Sequence, residues 1–363
     1  LLYRIWIAFV WIFLGLFSAF RYKIGPDYLQ YEIVHGWLLA QPEIALIISE
    51  PFHVFLTFLA EYMGAGFQFV AFVYSILTIT IFYFGFRYFA PNRGALAIMT
   101  VLFTCMLYAA SLNGIRQYLA AAIFLYSCRF IVERKLLPYL ILIFISFLVH
   151  KSAVLLVPIY FLHRDWKNVQ VFAILISLSL VIFAMQVSGI NMAEGILQII
   201  GLLGLDYSSY VDGGRFSASP PIYTLVVMIF SIIFVAALAI FKRDHPLMLF
   251  AFNMCVGLVC VKLIASNMTI LGRFDLFFEP FVVVILALLC SNEVRARINP
   301  ISREQLAVLV LITGLGFAQI QMARILSGEN SYSQYSINTA IFSKTPRIIQ
   351  VYGKHENVEN WQF

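Results

Sequence analysis

The chain has 363 residues, of which 62% are hydrophobic and only 12% charged, with a formal net charge of +6. An average soluble domain is about 45–50% apolar and about 25% charged. The balance here, with a mean hydropathy of +0.90, excludes a soluble enzyme, a disordered chain and a nucleic-acid-binding module. The apolar residues run together instead of alternating, which also excludes an outer-membrane barrel. What remains is an all-α integral membrane protein, a multi-span helical bundle in one polytopic domain over residues 1–363.

A membrane-crossing helix takes about 20 apolar residues. Apolar length and flanking charge predict about eleven spans. The first covers 2–20 and is too long and too aromatic for a removed signal peptide. Because the chain opens on Leu1, a few residues are expected to precede it. A polar outer loop follows over 21–51. The run 52–63, opened by Glu50-Pro51, is too short to cross and reads as a re-entrant or interfacial helix started by Pro51. Spans at 66–88, 95–112 and 115–132 come next, the last two split by Leu112-Asn113-Gly114. The spans at 136–150 and 152–163 are short and meet at His150-Lys151. After a span at 168–186 comes a second polar loop, 187–220. Spans at 221–241, 247–266, 268–290 and 306–322 complete the set, and a polar tail, 323–363, carries Tyr332 and Tyr335.

Eleven crossings put Arg87/Arg93, Arg129/Arg134/Lys135, Arg164/Lys167, Lys242/Arg243 and Arg295/Arg297/Arg303 on one side, which is the cytoplasm by the positive-inside rule. The N-terminus is then inside and the tail outside. Five cysteines, Cys105, Cys128, Cys255, Cys260 and Cys290, lie in or at the ends of apolar runs with no CxxC pair. They predict neither disulfides nor a structural metal. No Walker A, Rossmann glycine fingerprint, GxSxG or HExxH occurs, so no cofactor is expected and the energy for a reaction has to arrive with the substrate.

The charges that resist the positive-inside rule are the informative ones: Arg21, Lys23, Lys151, Arg215 and Arg273 on the outer face, and Arg116 just inside the outer end of its span. Asn113 or Gly114 can cap the helix that begins at 115. Arg116 then stands in its first turn and adds to the positive end of the helix dipole, an anion site suited to phosphate. No acid lies within a turn of Arg116 in the sequence, which argues against a simple ion pair. Arg273 likewise falls near a predicted helix N-terminus, with Asp275 and Glu279 beyond it and Lys262 before it. These groups either face a polar cavity or form an internal salt-bridge cluster. In the first loop, Gly25-Pro26-Asp27 is turn chemistry. Asp27 either caps the next helix or holds a carboxylate beside Arg21, and Glu50 has the same two readings. His150 is a span-end polar group, a phosphate ligand or a general base. The other five histidines, His53 among them, read as structural. In the second loop, Asp206, Tyr207, Tyr210, Asp212 and Arg215 suit a sugar, which hydrogen-bonds at its edge and stacks on its face, or else form an ordinary surface loop.

Taken in order, Arg21-x-x-x-Gly25-x-Asp27-x-x-x-Tyr31, Glu50-Pro51, Asn113-Gly-Ile-Arg116-Gln117, His150-x-Ser-Ala and Arg273-Phe resemble the EpsG/Wzy group of bacterial polysaccharide polymerases, from the first span into the tenth. The resemblance implies an O-antigen or related surface-polysaccharide polymerase in the inner membrane, related in fold to lipid-dependent membrane glycosyltransferases and active at the outer face. Its donor and acceptor would be oligosaccharide units on undecaprenyl pyrophosphate. A polysaccharide chain-length regulator is a candidate partner. Read this way, Arg116 and Arg273 bind pyrophosphate with Arg21 assisting, and His150 or Asp27 is the base. Glu50, Tyr31, Gln117, Asp206, Arg215 and Asp275 bind sugar or support the site, with no metal required. A ligase that transfers finished polysaccharide, and a flippase for the same lipid-linked sugars, are the rival readings.

Overall fold

The structure is a computed structural model that describes residues 2–23, 27–189, 221–239, 245–267, 269–291 and 336–337. Its contacts divide the chain into two units, the first built on Leu1–Leu162 and the second on His163–Val282, with later segments shared out between them.

The first unit opens with helix α1 (Leu2–Ala19) and a two-residue strand β1 (Arg21–Tyr22). Helices α2 (Tyr28–Ala40) and α3 (Pro51–Tyr62) fill the first loop. The longer helices are α4 (Phe67–Phe89), α5 (Arg93–Ser111) and α6 (Ile115–Val132), followed by α7 (Leu136–Val149). Helix α1 packs on α4, α4 on α6, and α6 on α7. Helix α6 is central because its sequence is apolar on every side, the pattern of a helix enclosed all round. Tyr118 through Leu125 are all buried, with Ala120, Ala121 and Ala122 at 0% exposure. Helix α4 approaches α6 closely at Gly85, where a Cβ would lie 2.9 Å from the Leu125 side chain.

Polar side chains tie the helices at defined heights. Trp11 stacks on Phe103 with centroids 4.9 Å apart, and its Nε1 donates to Thr100 Oγ1 at 3.0 Å. Thr100 and Thr104 donate to the carbonyls of Leu96 and Thr100, each at 2.8 Å. Such back-bonding competes with the helix ladder, and α5 widens into a π-helical turn over Thr104–Tyr108. Tyr108 at its end donates to the Leu14 carbonyl at 2.9 Å. Gln68, in the first turn of α4, donates to the carbonyls of Ala19 and Arg21 at 3.0 and 3.1 Å, and accepts from Tyr28 at 2.9 Å. The end of α1 and the start of α4 therefore share one end of this unit. Strand β1 pairs antiparallel with β2 (Ser336–Ile337), joining the first loop to a segment far along the chain.

In the second unit, α8 (Asn168–Val187), α9 (Pro221–Ala239) and α10 (Pro246–Asn267) pack against one another. A 3-10 segment, Thr269–Phe277, lies along α10, and α11 (Glu279–Leu289) follows in the chain, its residues from Val283 on being counted with the first unit.

Among the described residues, five helices are long and apolar enough to cross a membrane by length and composition: Phe67–Phe89, Arg93–Ser111, Ile115–Val132, Asn168–Val187 and Pro246–Ser266. Shorter apolar helices accompany them. Two expected spans are not single helices. The segment 152–163 is a 3-10 turn, Lys151–Leu156, followed by one helical turn, Ile159–Leu162. Pro158 between them has no N–H to continue the ladder. The segment 268–290 becomes α-helical only at Glu279, because Pro280 favours a first-turn position and disfavours helical geometry in the residue before it. Most of the second loop, the span at 306–322 and nearly all of the tail lie outside the described residues.

The Gly85 contact gives a stability test. Gly85→Ala overpacks the α4–α6 seam and lowers unfolding stability by ~1–3 kcal/mol. Leu125→Ala should cost less in the Gly85→Ala background than in wild type, because the two side chains compete for one space, as thermal melts of the purified protein would show.

Candidate active site

The site begins with proline chemistry. Pro51 occupies the first position of α3, and Glu50 before it is extended, with ψ 148°, as a residue preceding proline prefers. The Glu50 side chain makes no capping bond to its own helix and reaches across the unit instead. One carboxylate oxygen, Oε2, forms an ion pair with the Arg116 guanidinium. The other, Oε1, lies 2.9 Å from His150 Nδ1. Arg116 is in the first turn of α6, whose N-cap is Gly114. His150 is the residue that ends α7. The starts of α3 and α6 and the end of α7 therefore meet at one carboxylate. Arg116 also donates to Ser49 Oγ at 3.0 Å, and its guanidinium lies 5.0 Å over the ring of Tyr31 from α2. The Glu50 side chain is 8% exposed, against 22% for Arg116 and 19% for His150.

Burial alone would raise the Glu50 carboxyl. The hydrogen bond from His150 and the charge of Arg116 outweigh it and hold the group down at about 2. Glu50 is thus ionised at neutral pH and only accepts hydrogen bonds. On α3, one turn beyond Glu50, His53 is fully buried. Burial and the Arg116 charge push it down to about 3, so it is neutral.

The other expected residues fall in different places. Asp27 stands at the N-cap position of α2 without capping it. Its N–H donates to Asn113 Oδ1 at 2.8 Å, and Asn113 Nδ2 donates back to Asp27 Oδ2 at 3.1 Å. Asn113 therefore clips the first loop to the start of α6 and leaves the capping position to Gly114. Gln117 is half-buried on the same turn as Arg116. Arg21, expected at the surface, is 1% exposed. Its guanidinium donates to the Ser18 carbonyl at 2.7 Å and to Ser75 Oγ at 2.6 Å, so hydroxyls and a carbonyl at the end of α1 draw it inward and it fastens α1 to α4.

In the second unit, Lys262 lies 2.8 Å from Asp275 and 3.9 Å from Glu279, so these acids gather around the lysine. Arg273 is exposed. It sits within the 3-10 segment and not at an α-helix N-terminus, for the proline reason given above. Asp206 and Arg215 lie outside the described residues. Among the described residues, no cluster of three or more His, Cys, Asp or Glu side chains could hold a metal ion.

The Arg116–Glu50 ion pair is the feature that local sequence hides, because 66 residues separate its partners. His53 and Tyr74, which line the inner side of the cluster, also escape a reading of the sequence. Glu50-Pro-x-His53 does carry a signal, since a spacing of three returns both side chains to one helical end.

The helices and this ion-paired cluster define a polytopic, all-helical membrane protein with a carboxylate–histidine–arginine centre at one end of its first unit. A model of the EpsG family matches residues 4–337, and the chain belongs to that family. No curated protein and no solved structure matches it.

The low Glu50 value has a pH signature. Its folded value is depressed from an ordinary 4.5 to about 2, so its stabilisation is complete above about pH 4.5 and is lost as pH falls toward 2. Thermal melts of wild type should decline over that window, and Glu50→Gln should remove its share of the decline.

Proposed function

We propose that the protein is a surface-polysaccharide polymerase of the bacterial inner membrane. It would transfer a growing glycan from undecaprenyl pyrophosphate to a hydroxyl of a lipid-linked repeat unit at the outer face. The observation that carries this reading is the Glu50 carboxylate shared between Arg116 and His150. It joins a cation suited to a phosphate leaving group and an imidazole suited to general-base work.

Ionised Glu50 accepts the Nδ1 hydrogen of His150, which leaves the Nε2 lone pair available. The acceptor hydroxyl loses its proton to Nε2 as its oxygen bonds to the anomeric carbon. The bond from that carbon to the pyrophosphate oxygen breaks, and the electron pair leaves with the pyrophosphate. Arg116, helped by the amide dipoles at the start of α6, meets the developing charge. Direct displacement of this kind inverts the anomeric configuration and needs no metal, because the guanidinium supplies the positive charge. In the unloaded site Glu50 neutralises Arg116; an arriving pyrophosphate, with more negative charge, competes for the same guanidinium. Asp27, clipped to Asn113, positions the start of α6 in this scheme and leaves the base role to His150.

Chain-length ladders of surface polysaccharide in a polymerase-null strain test the assignment. Arg116→Ala and His150→Ala should leave single-unit surface sugar. Arg116→Lys should fail nearly as badly as Arg116→Ala, since a point charge cannot reproduce bidentate phosphate geometry. Normal long ladders from Arg116→Ala would sink the reading, and complete loss of surface sugar would favour a ligase.

A further inference from the structure

Behind the Glu50–Arg116 pair lies a group of polar side chains that the proposed chemistry does not use. His53 and Tyr74 are both 0% exposed. Both ring nitrogens of His53, the Tyr74 hydroxyl and Nε of Arg116 are buried and meet no hydrogen-bond partner among the described residues. The groups are contiguous. The His53 and Tyr74 rings are 5.8 Å apart, Tyr31 and His53 are 6.2 Å apart, and Arg116 lies 5.0 Å over Tyr31. A lone unpaired buried polar group is costly, and native proteins leave few of them. Four such atoms within one connected group of side chains call for a shared partner.

Their chemistry selects that partner. Neutral His53 offers one donor and one acceptor, the tyrosine hydroxyl offers both, and Nε–H of Arg116 offers a donor. An ion does not suit them, because Glu50 already balances the Arg116 charge and a further charge here would be buried without compensation. A neutral molecule that both donates and accepts satisfies the set, and water is the smallest that does both. Buried waters typically hold two to four hydrogen bonds in such positions.

We propose that a buried water molecule links His53 and Tyr74 to Nε of Arg116, and that His53 and Tyr74 are positioning residues for the guanidinium. Glu50 and Ser49 hold one terminal nitrogen of Arg116, and the water holds the Nε edge. The plane is then fixed at two points, which is what bidentate recognition of a phosphate requires. This inference rests on the reading of Arg116 as the pyrophosphate-binding group.

The test uses the full chain in lipid nanodiscs with purified lipid-linked repeat units. Tyr74→Phe removes only the hydroxyl. It should raise KM for the donor about tenfold and change kcat by less than about twofold. His53→Leu should do the same, and His53→Gln, whose amide again donates and accepts, should recover most of the loss. Wild-type KM in both Tyr74→Phe and His53→Leu, with Arg116→Ala inactive, overturns the water link and leaves the polymerase reading standing. A cryo-EM map that resolves ordered waters decides the matter independently of activity. Density bridging the Tyr74 hydroxyl and the His53 ring, lost in Tyr74→Phe, is expected. Direct contact between the two side chains with nothing between them overturns the proposal.

Discussion

The end of the first unit where α3, α6 and α7 meet is organised by the charge on Glu50. The carboxylate is buried, and a buried charge persists only if it is paired and hydrogen-bonded. Arg116 and His150 supply that pairing, one oxygen each. In return Glu50 fixes the start of α6 against the start of α3 and the end of α7. A neutral side chain could pack in the same volume, and apolar replacements of buried ion pairs often cost little stability. The pair therefore makes sense as a means of holding a cation and an imidazole in register more than as a source of stability.

The rest of the unit supports that register. Helix α6 is enclosed on every side, so the position of Arg116 follows from the packing of Tyr118 through Leu125. Helix α4 can reach α6 because Gly85 has no side chain. Arg21 and Gln68 fasten the end of α1 to α4, and Asn113 fastens the first loop to α6. The polar side chains at this end therefore divide into fasteners, which bond one element to another, and the Glu50 cluster, which keeps a partly exposed cation.

Helix positions were largely legible in the sequence, because the cost of burying backbone polar groups in a bilayer makes apolar length a direct signal. The start of α3 at Pro51 and the break at Leu112-Asn113-Gly114 could be read for the same local reasons that proline and glycine act anywhere. The failures came where a proline sits inside an apolar run. Hydropathy alone carries 152–163 and 268–290 across Pro158 and Pro280, whereas the backbone cannot continue the ladder there. Within the site, Arg116, His150 and Glu50 stood out as residue types that an apolar chain does not place casually. Their contacts did not, because an ion pair between residues far apart in sequence has no periodicity. Arg21 shows the converse: a surface position by sequence becomes a buried fastener once Ser18 and Ser75 are seen to face it.

The separation along the chain also sets an order of events. Glu50 is synthesised 66 residues before Arg116 and 100 before His150. At translation rates of about 5–20 residues per second, it waits roughly 3 to 20 seconds for its partners. During that interval neither of its two partners is there to neutralise the carboxylate. The cluster on Glu50 is therefore complete only after α7 has been made.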